Sequence, residues 1–210
     1  MNELKKQLAQ LPLAVEQLIE TRLEEFSSFK QKNDEAWFSE LCFCLLTANA
    51  KAQTALSLQS TLGFAGFCTL PLHNLTQQIK AHKHRFHNNK ARYIVAAREH
   101  HPIKKIIQQK VSSHWESAAR GWLVSNVKGM GYKEASHFLR NTGYQSLAIL
   151  DRHIINLLVE HNLIGKPNNL AKNNYLQIEQ TFQKLSKKLS VTPAKLDLQL
   201  WYLQTGKVLK

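Results

Sequence analysis

Apolar residues recur every three or four positions along almost the whole chain. This spacing predicts amphipathic α-helices, whereas the strict alternation that predicts half-buried strands is rare in this sequence. The predicted helices span 4–29, 34–48, 53–62, 75–81, 89–99, a segment from 113, 132–141, a segment from 151, and 193–204. The pattern therefore predicts an all-α protein.

Local signals place the ends of several of these helices. Ser113 and Glu116 match the S-x-x-E capping box, which predicts that a helix begins there. Asp151 precedes an apolar run and is expected to open a helix as its N-cap. Thr192 followed by Pro193 predicts the start of the last helix, because proline is favoured at the first helical position.

The predicted helices are joined by short connections, without a repeat of fixed period or a low-complexity tract. We expect residues 1–210 to form one unit of two helical lobes, approximately 30–142 and 1–29 plus 143–210, with a cleft between them. No apolar run approaches the length of a membrane span, and the N-terminus lacks the continuous apolar core of a secretory signal. The expected location is the cytoplasm, in association with the nucleoid.

The charge balance points to an anionic partner. The chain has 28 Lys and Arg against 15 Asp and Glu, a formal net charge of +13. Nucleic acid is the first candidate for such a partner, although basicity that serves only solubility stays open. A membrane surface is disfavoured, because no strongly basic amphipathic helix carries an aromatic insertion face.

Cysteine and histidine usage argues against disulfides and metals. The cysteines are three in number and lack C-x-x-C spacing, which supports neither a disulfide framework nor a four-cysteine cluster. The run "HKHRFH" contains no acidic residue and is accompanied by Lys83, Arg85 and Lys90. Repulsion between these cations favours a surface that faces phosphate over a metal site.

Residues 127–154 read "VKGMGYKEASHFLRNTGYQSLAILDRHI" and begin with a helix-hairpin-helix pattern around two glycines. Glycine permits a tight turn, positive φ and close approach of the backbone to a ligand. Amides at Gly129 and Gly131, beside a helix N-terminus and next to Lys128, are suited to bind DNA phosphate without reading sequence. An ordinary turn between two helices is the alternative.

An amine and a carboxylate follow this turn. Lys133 lies in the first turn of the second helix, where the helix dipole and other cations favour a neutral, nucleophilic amine of the kind that forms Schiff bases. Asp151 lies 18 residues later (151 − 133) and could stabilise positive charge on a sugar or accept a proton. A lysine that only contacts phosphate and an aspartate that only caps a helix remain the alternatives.

Together, "KGMGYKEASHFLR" and "LAILDRHI" resemble the helix-hairpin-helix base-excision glycosylases, and most of all the type 2 8-oxoguanine DNA glycosylase/AP lyases of archaea and bacteria. The resemblance covers nearly the whole chain. It implies the helix-hairpin-helix glycosylase fold with the active-site cleft between two lobes. It also implies that Lys133 is the catalytic amine and Asp151 the essential aspartate.

The same resemblance suggests roles for weaker candidates. "LLTANA" and "RFHNNKAR" look like segments that reach the DNA at the lesion, which implicates Asn49, Arg85 and Phe86. Loop capping by Asn49 and core packing by Phe86 are the alternatives. Trp201, unless it is a core residue, is suited to stack on the extruded base, and Lys210, the last residue of the sequence, is expected to help distinguish 8-oxoguanine from guanine.

The expected activity is excision of 8-oxoguanine from duplex DNA through a lysine Schiff base, followed by strand cleavage by β-elimination. No cofactor is expected to be required, although hairpins of this type can hold a monovalent cation through their carbonyls. The expected partner is double-stranded DNA containing oxidised guanine, bound by a monomer that does not associate with membranes. A non-catalytic hairpin module and a related glycosylase for other oxidised bases are the competing hypotheses.

Overall fold

The computed structural model of the protein describes residues 2–210, apart from the side chains of Asn2 and His114. Its helices are α1 Asn2–Ala9, α2 Leu13–Ser28, α3 Asp34–Thr47, α4 Ala52–Thr69, α5 Leu72–Ala81, α6 His87–Ala97, α7 Ile103–Asn126, α8 Tyr132–Asn141, α9 Arg152–Glu160, α10 Lys172–Lys188 and α11 Pro193–Thr205. Short 3₁₀ turns follow α2 and α6. Residues 2–210 contain no strand, which confirms the all-α prediction.

The chain divides into two compact units. The central unit is Gln31–Phe138, and the terminal unit combines Met1–Lys30 with Leu139–Lys210. Within residues 2–210, no helix is long and apolar enough to cross a membrane.

The central unit is built around α3, which is buried from Trp37 to Thr47 apart from Ser39. A helix that is apolar on all sides is stable only inside a core. The ring of Trp37 meets Phe138 of α8 edge-on, with centroids 5.9 Å apart. This contact ties the central helix to the helix that carries Lys133.

The terminal unit packs α2 against α11 and the last residues of the chain. Its core cluster consists of Ile19, Leu23, Phe26, Ala194, Leu198 and Val208. The guanidinium of Arg140, at the end of α8, donates to the carboxylate of Asp197 on α11, and both side chains are buried. A buried ion pair of this kind makes the position of α11 sensitive to the loss of either partner.

Two predicted helix starts are confirmed. Asp151 is the N-cap of α9, and its Oδ1 accepts from the amides of His153 and Ile154 at 2.9 and 3.0 Å. The hydroxyl of Thr192 accepts from the amide of Lys195 at 3.2 Å and caps α11.

Three predicted helix boundaries are wrong. The single helix expected at 4–29 is two helices, because Pro12 has an extended backbone (φ −56°, ψ 140°) and precedes α2. The helix expected to end at residue 62 continues to Thr69 across a kink at Gly63. Ser113 caps no helix: its hydroxyl donates to the Gln109 carbonyl at 2.7 Å, one turn earlier in α7.

Candidate active site and DNA interface

The connection between α7 and α8 is a five-residue turn, 127–131. Val127 and Met130 are buried, and the Met130 amide donates to the Val127 carbonyl at 3.1 Å. Lys128 and Gly129 are exposed at the tip. The turn therefore anchors itself by two apolar side chains and presents a lysine and a bare backbone to solvent.

The two glycine positions of the turn differ in how strongly the structure requires glycine. Gly129 has φ +84°, and a Cβ atom there would lie 2.1 Å from Cδ2 of Tyr93. Gly131 does not have positive φ, and a Cβ there would meet only Glu134 Oε2, at 3.0 Å. Positive φ and close packing therefore demand glycine at position 129, whereas position 131 carries only a mild steric restriction.

Lys133 is the second residue of α8, and its side chain is 25% exposed. Its Nζ lies 3.8 Å from Oε1 of Glu134, whose side chain is 14% exposed. The Ala135 amide donates to the Gly131 carbonyl at 2.9 Å and closes the first turn of α8. The reactive amine predicted from sequence therefore lies at a helix N-terminus, loosely paired with one carboxylate.

Lys90 was not predicted as a site residue, and the expectation that it faces phosphate is wrong. It is 4% exposed, and its Nζ donates to the carbonyl of Leu45 at 2.6 Å. Burial lowers the pKa of Lys90 from 10.5 to about 8; the Glu134 carboxylate opposes this change and the Lys133 amine reinforces it. Lys90 therefore belongs to the electrostatic surroundings of Lys133.

His84, in the same histidine-rich run, is also buried at 2% exposure. The Phe86 amide donates to its Nδ1 at 3.2 Å, so Nε2 carries the ring hydrogen and donates to the Leu46 carbonyl at 2.9 Å. Burial, with charges from Lys90 and His87, lowers its pKa, and the bond to Leu46 opposes this. His84 therefore acts as a neutral donor at the end of α3.

Among the described side chains, which exclude that of His114, no group of three or more His, Cys, Asp or Glu residues is arranged to hold a metal ion. Cys42 and Cys68 are free thiols, and burial raises the pKa of Cys42 well above its ordinary value.

Asn49 lies in the loop directly after α3 and is exposed, with φ +58°. Asparagine tolerates this left-handed conformation better than most residues. Lys90 and His84 bind the Leu45 and Leu46 carbonyls just before this loop. They therefore fix the helix end from which Asn49 projects.

Arg85 and Phe86 lie immediately before α6. The Arg85 guanidinium stacks over the Phe86 ring, 4.5 Å from its centroid. Arg85 is exposed and Phe86 is half-buried. The pair places a cation and an aromatic ring side by side, and both groups are of the kind that stack on nucleic-acid bases.

The terminal unit holds the other predicted residues. Both hydrogen bonds of the α9 cap, from the amides of His153 and Ile154, are accepted by Oδ1 of Asp151, so capping does not use Oδ2. Trp201 is half-buried and meets His153 edge-on, with centroids 4.9 Å apart. Its Nε1 is buried and has no hydrogen-bond partner among the described residues. Lys210 is half-buried, and Val208 anchors the preceding segment in the core.

The predicted residues thus fall into two groups. The central unit carries Asn49, Arg85, Phe86, Lys128, Gly129, Gly131 and Lys133, and the terminal unit carries Asp151, Trp201 and Lys210. In the central unit, the hairpin and the Lys133 amine are adjacent along the chain at the start of α8.

Comparison with known proteins supports the resemblance to 8-oxoguanine DNA glycosylases over nearly the whole chain. The family model for 8-oxoguanine DNA glycosylase matches residues 19–191. The 8-oxoguanine DNA glycosylase/AP lyase of Methanocaldococcus jannaschii is 47% identical over 197 residues, which are 93% of each chain. The protein of the same name from Thermotoga maritima is 40% identical over 210 residues, 99% of each chain.

Solved structures agree. The M. jannaschii enzyme in complex with a 15mer DNA containing 8-oxoguanine superposes with a TM-score of 0.94 at 44% identity, covering 99% of this chain and 100% of that one. The T. maritima enzyme gives a TM-score of 0.92 at 39% identity, covering 100% and 99%. A trapped endonuclease III–DNA complex, with a TM-score of 0.58 at 17% identity, shares the fold. The chain belongs to the helix-hairpin-helix family of 8-oxoguanine DNA glycosylase/AP lyases.

Proposed function

We propose that this protein excises 8-oxoguanine from duplex DNA and then cleaves the strand at the resulting abasic site. The observation that carries the proposal is the position of Lys133, an amine in the first turn of α8 directly after the exposed hairpin. Membership in the 8-oxoguanine DNA glycosylase/AP lyase family supports the proposal that this amine is the nucleophile.

Binding begins with the phosphate backbone. The exposed amide of Gly129 and the ammonium of Lys128 contact phosphate at the hairpin. The net charge of +13 adds a sequence-independent attraction that releases counterions from the duplex. These contacts supply the free energy that DNA bending and base extrusion require.

A base inside the stack is out of reach of any side chain, so the damaged nucleotide must leave the helix. Extrusion requires a few kcal/mol. Asn49 and the stacked Arg85–Phe86 pair occupy the space that the nucleotide vacates. Trp201 stacks against the extruded base, and Lys210 contributes to its recognition. 8-Oxoguanine has a hydrogen at N7, where guanine has a lone pair. A hydrogen-bond acceptor of the protein that faces N7 therefore selects the damaged base.

The chemical step replaces one bond at the sugar with another. The lone pair of the Lys133 amine attacks C1′ while the bond from C1′ to the base nitrogen breaks and its electrons leave with the base. The Asp151 carboxylate stabilises the positive charge that develops on the sugar and accepts a proton from the attacking amine. Because capping uses Oδ1 of Asp151, Oδ2 is the oxygen suited to this role.

Strand cleavage follows from the covalent intermediate. Ring opening gives a protonated imine between Nζ and C1′, which makes the C2′ proton acidic. Loss of that proton places a double bond between C2′ and C3′ and expels the 3′ phosphate oxygen. Water then hydrolyses the imine and regenerates the amine.

The proposed chemistry needs no cofactor. A monovalent cation held by backbone carbonyls of the turn would be an accessory ion, and no chemical step depends on it. The proposed form is a monomer acting on DNA in the cytoplasm, in association with the nucleoid.

The test is strand incision of a duplex with 8-oxoguanine opposite cytosine, beside duplexes carrying oxidised pyrimidines. We expect rapid incision at 8-oxoguanine by the wild type and none by Lys133→Gln, with duplex affinity retained. Preferred incision at oxidised pyrimidines would make the protein a glycosylase for other lesions. Tight binding without incision of any duplex would leave a DNA-binding module.

A further inference from the structure

Lys90 is a buried cation in the central unit. Its residue is 4% exposed, and its Nζ is held by the Leu45 carbonyl at 2.6 Å. A buried ammonium is unfavourable unless opposite charge or aligned dipoles compensate for lost hydration. The Leu45 carbonyl supplies part of this compensation, because it lies in the last turn of α3, at the negative end of the helix dipole.

Further compensation comes from the start of α8, which lies close to α6: the ring of Tyr93, one turn after Lys90 on α6, packs against Gly129 in the turn that leads into α8. Lys90 is attracted by the Glu134 carboxylate and repelled by the Lys133 amine. Glu134 is also the carboxylate that lies 3.8 Å from Lys133 Nζ. One carboxylate, 14% exposed at its side chain, therefore serves two lysines, of which only Lys133 is solvent-accessible enough to meet a substrate.

We propose that Lys90 is a positioning residue for the Lys133 amine: its fixed ammonium shares the Glu134 carboxylate and so prevents a tight Lys133–Glu134 ion pair. This inference rests on the proposed function of Lys133. An amine in a tight ion pair stays protonated and turned toward its partner, whereas a nucleophile must release its proton and reach C1′.

The proposal predicts a specific dependence between positions 90 and 134. In Lys90→Met, the side chain still fills the buried volume, but Glu134 loses the buried ammonium and keeps its ion pair with Lys133. In Lys90→Met combined with Glu134→Gln, the competing carboxylate is removed as well. Loss of a purely structural contact at Lys90 would not be reversed by the second change.

The experiment measures single-turnover rates of borohydride trapping on a duplex with 8-oxoguanine opposite cytosine. We expect Lys90→Met to trap at least about tenfold more slowly than the wild type, a rise of about 1.4 kcal/mol in the activation free energy. Glu134→Gln should trap at least as fast as the wild type. The double variant should return to within about threefold of the wild type, a gap of less than 1 kcal/mol.

Lys104→Met is the matched control. Lys104 also donates to a backbone carbonyl, that of Lys32 at 2.8 Å, within the same unit. The same substitution there should leave the trapping rate unchanged. Thermal unfolding, monitored by circular dichroism, checks that each variant folds.

Two outcomes overturn the inference while the proposed function stands: a wild-type rate for Lys90→Met, or a double variant as slow as Lys90→Met. If Lys90→Met fails to fold, Glu134→Gln alone decides, because a tenfold loss would mean that Lys133 needs its carboxylate. A wild-type protein that forms no adduct would instead overturn the proposed function itself.

Discussion

The ring of Tyr93 on α6 lies against the backbone of Gly129, so that a Cβ at position 129 would approach Tyr93 Cδ2 to 2.1 Å. Gly131, two residues later, has room for a Cβ next to the flexible end of Glu134. The hairpin therefore depends on one of its glycines far more than on the other.

Gly129→Ala should destabilise the protein and weaken DNA binding. Positive φ costs alanine about 1 kcal/mol, and displacement of the Tyr93 ring adds roughly 1–3 kcal/mol. Gly131→Ala should lower the free energy of unfolding by less than about 1 kcal/mol. Urea unfolding and duplex-binding titrations of both variants measure the contrast, and equal losses at the two positions would contradict this account of the turn.

Asp151 combines helix capping with the proposed charge stabilisation, and two substitutions separate these roles. Asn is as good an N-cap as Asp, so Asp151→Asn should keep stability within a few tenths of a kcal/mol, whereas Asp151→Ala should lose about 1 kcal/mol. Both should lower the excision rate by about 100-fold or more, because both remove the carboxylate. Wild-type excision by Asp151→Asn would reduce Asp151 to a cap.

The burial of Lys90 predicts how the free energy of unfolding depends on pH. Its pKa is about 8 in the folded protein and 10.5 as the ordinary value, so the unfolded chain binds more protons between these values. The free energy of unfolding should therefore rise with pH across this window, by up to about 3 kcal/mol for this one group. Lys90→Met should lack this contribution, so its stability relative to the wild type should fall as pH rises from 8.

Urea unfolding of the wild type and Lys90→Met at several values between pH 7 and 10 measures this difference. A difference in unfolding free energy that is independent of pH would show that Lys90 titrates as an exposed lysine does.

Lys128 is expected to contact phosphate without reading the base. Lys128→Ala should weaken binding to damaged and undamaged duplexes by the same factor. It should also reduce the slope of log affinity against log salt by about 0.9, the release of one counterion. Fluorescence anisotropy at several salt concentrations gives both values, and a loss confined to damaged DNA would place Lys128 at the lesion instead.

Local sequence signals predicted the features that depend on neighbouring residues. The α3 segment was correct because its apolar side chains are dense and begin after an acidic turn. The caps at Asp151 and Thr192 were correct because a capping side chain bonds to amides two or three residues away. The capping box at Ser113 failed because its hydroxyl instead bonds within a longer helix, α7.

Features set by distant contacts were not readable from the sequence. Lys90 and His84 bind carbonyls 45 and 38 residues earlier in the chain. The run of basic residues that was expected to face DNA phosphate is therefore partly buried. The requirement for glycine at position 129 likewise comes from Tyr93 on another helix. Such side chains are positioned by tertiary packing, which overrides local composition.

The most direct test of the proposed function is to locate the covalent bond. The wild type is mixed with a duplex carrying 8-oxoguanine opposite cytosine, reduced with borohydride, digested and analysed by peptide mass spectrometry. The account predicts a damage-dependent adduct on the peptide containing Lys133, absent from Lys133→Gln and from undamaged DNA. An adduct on any other lysine, or no adduct with either this duplex or an abasic one despite tight binding, would contradict it.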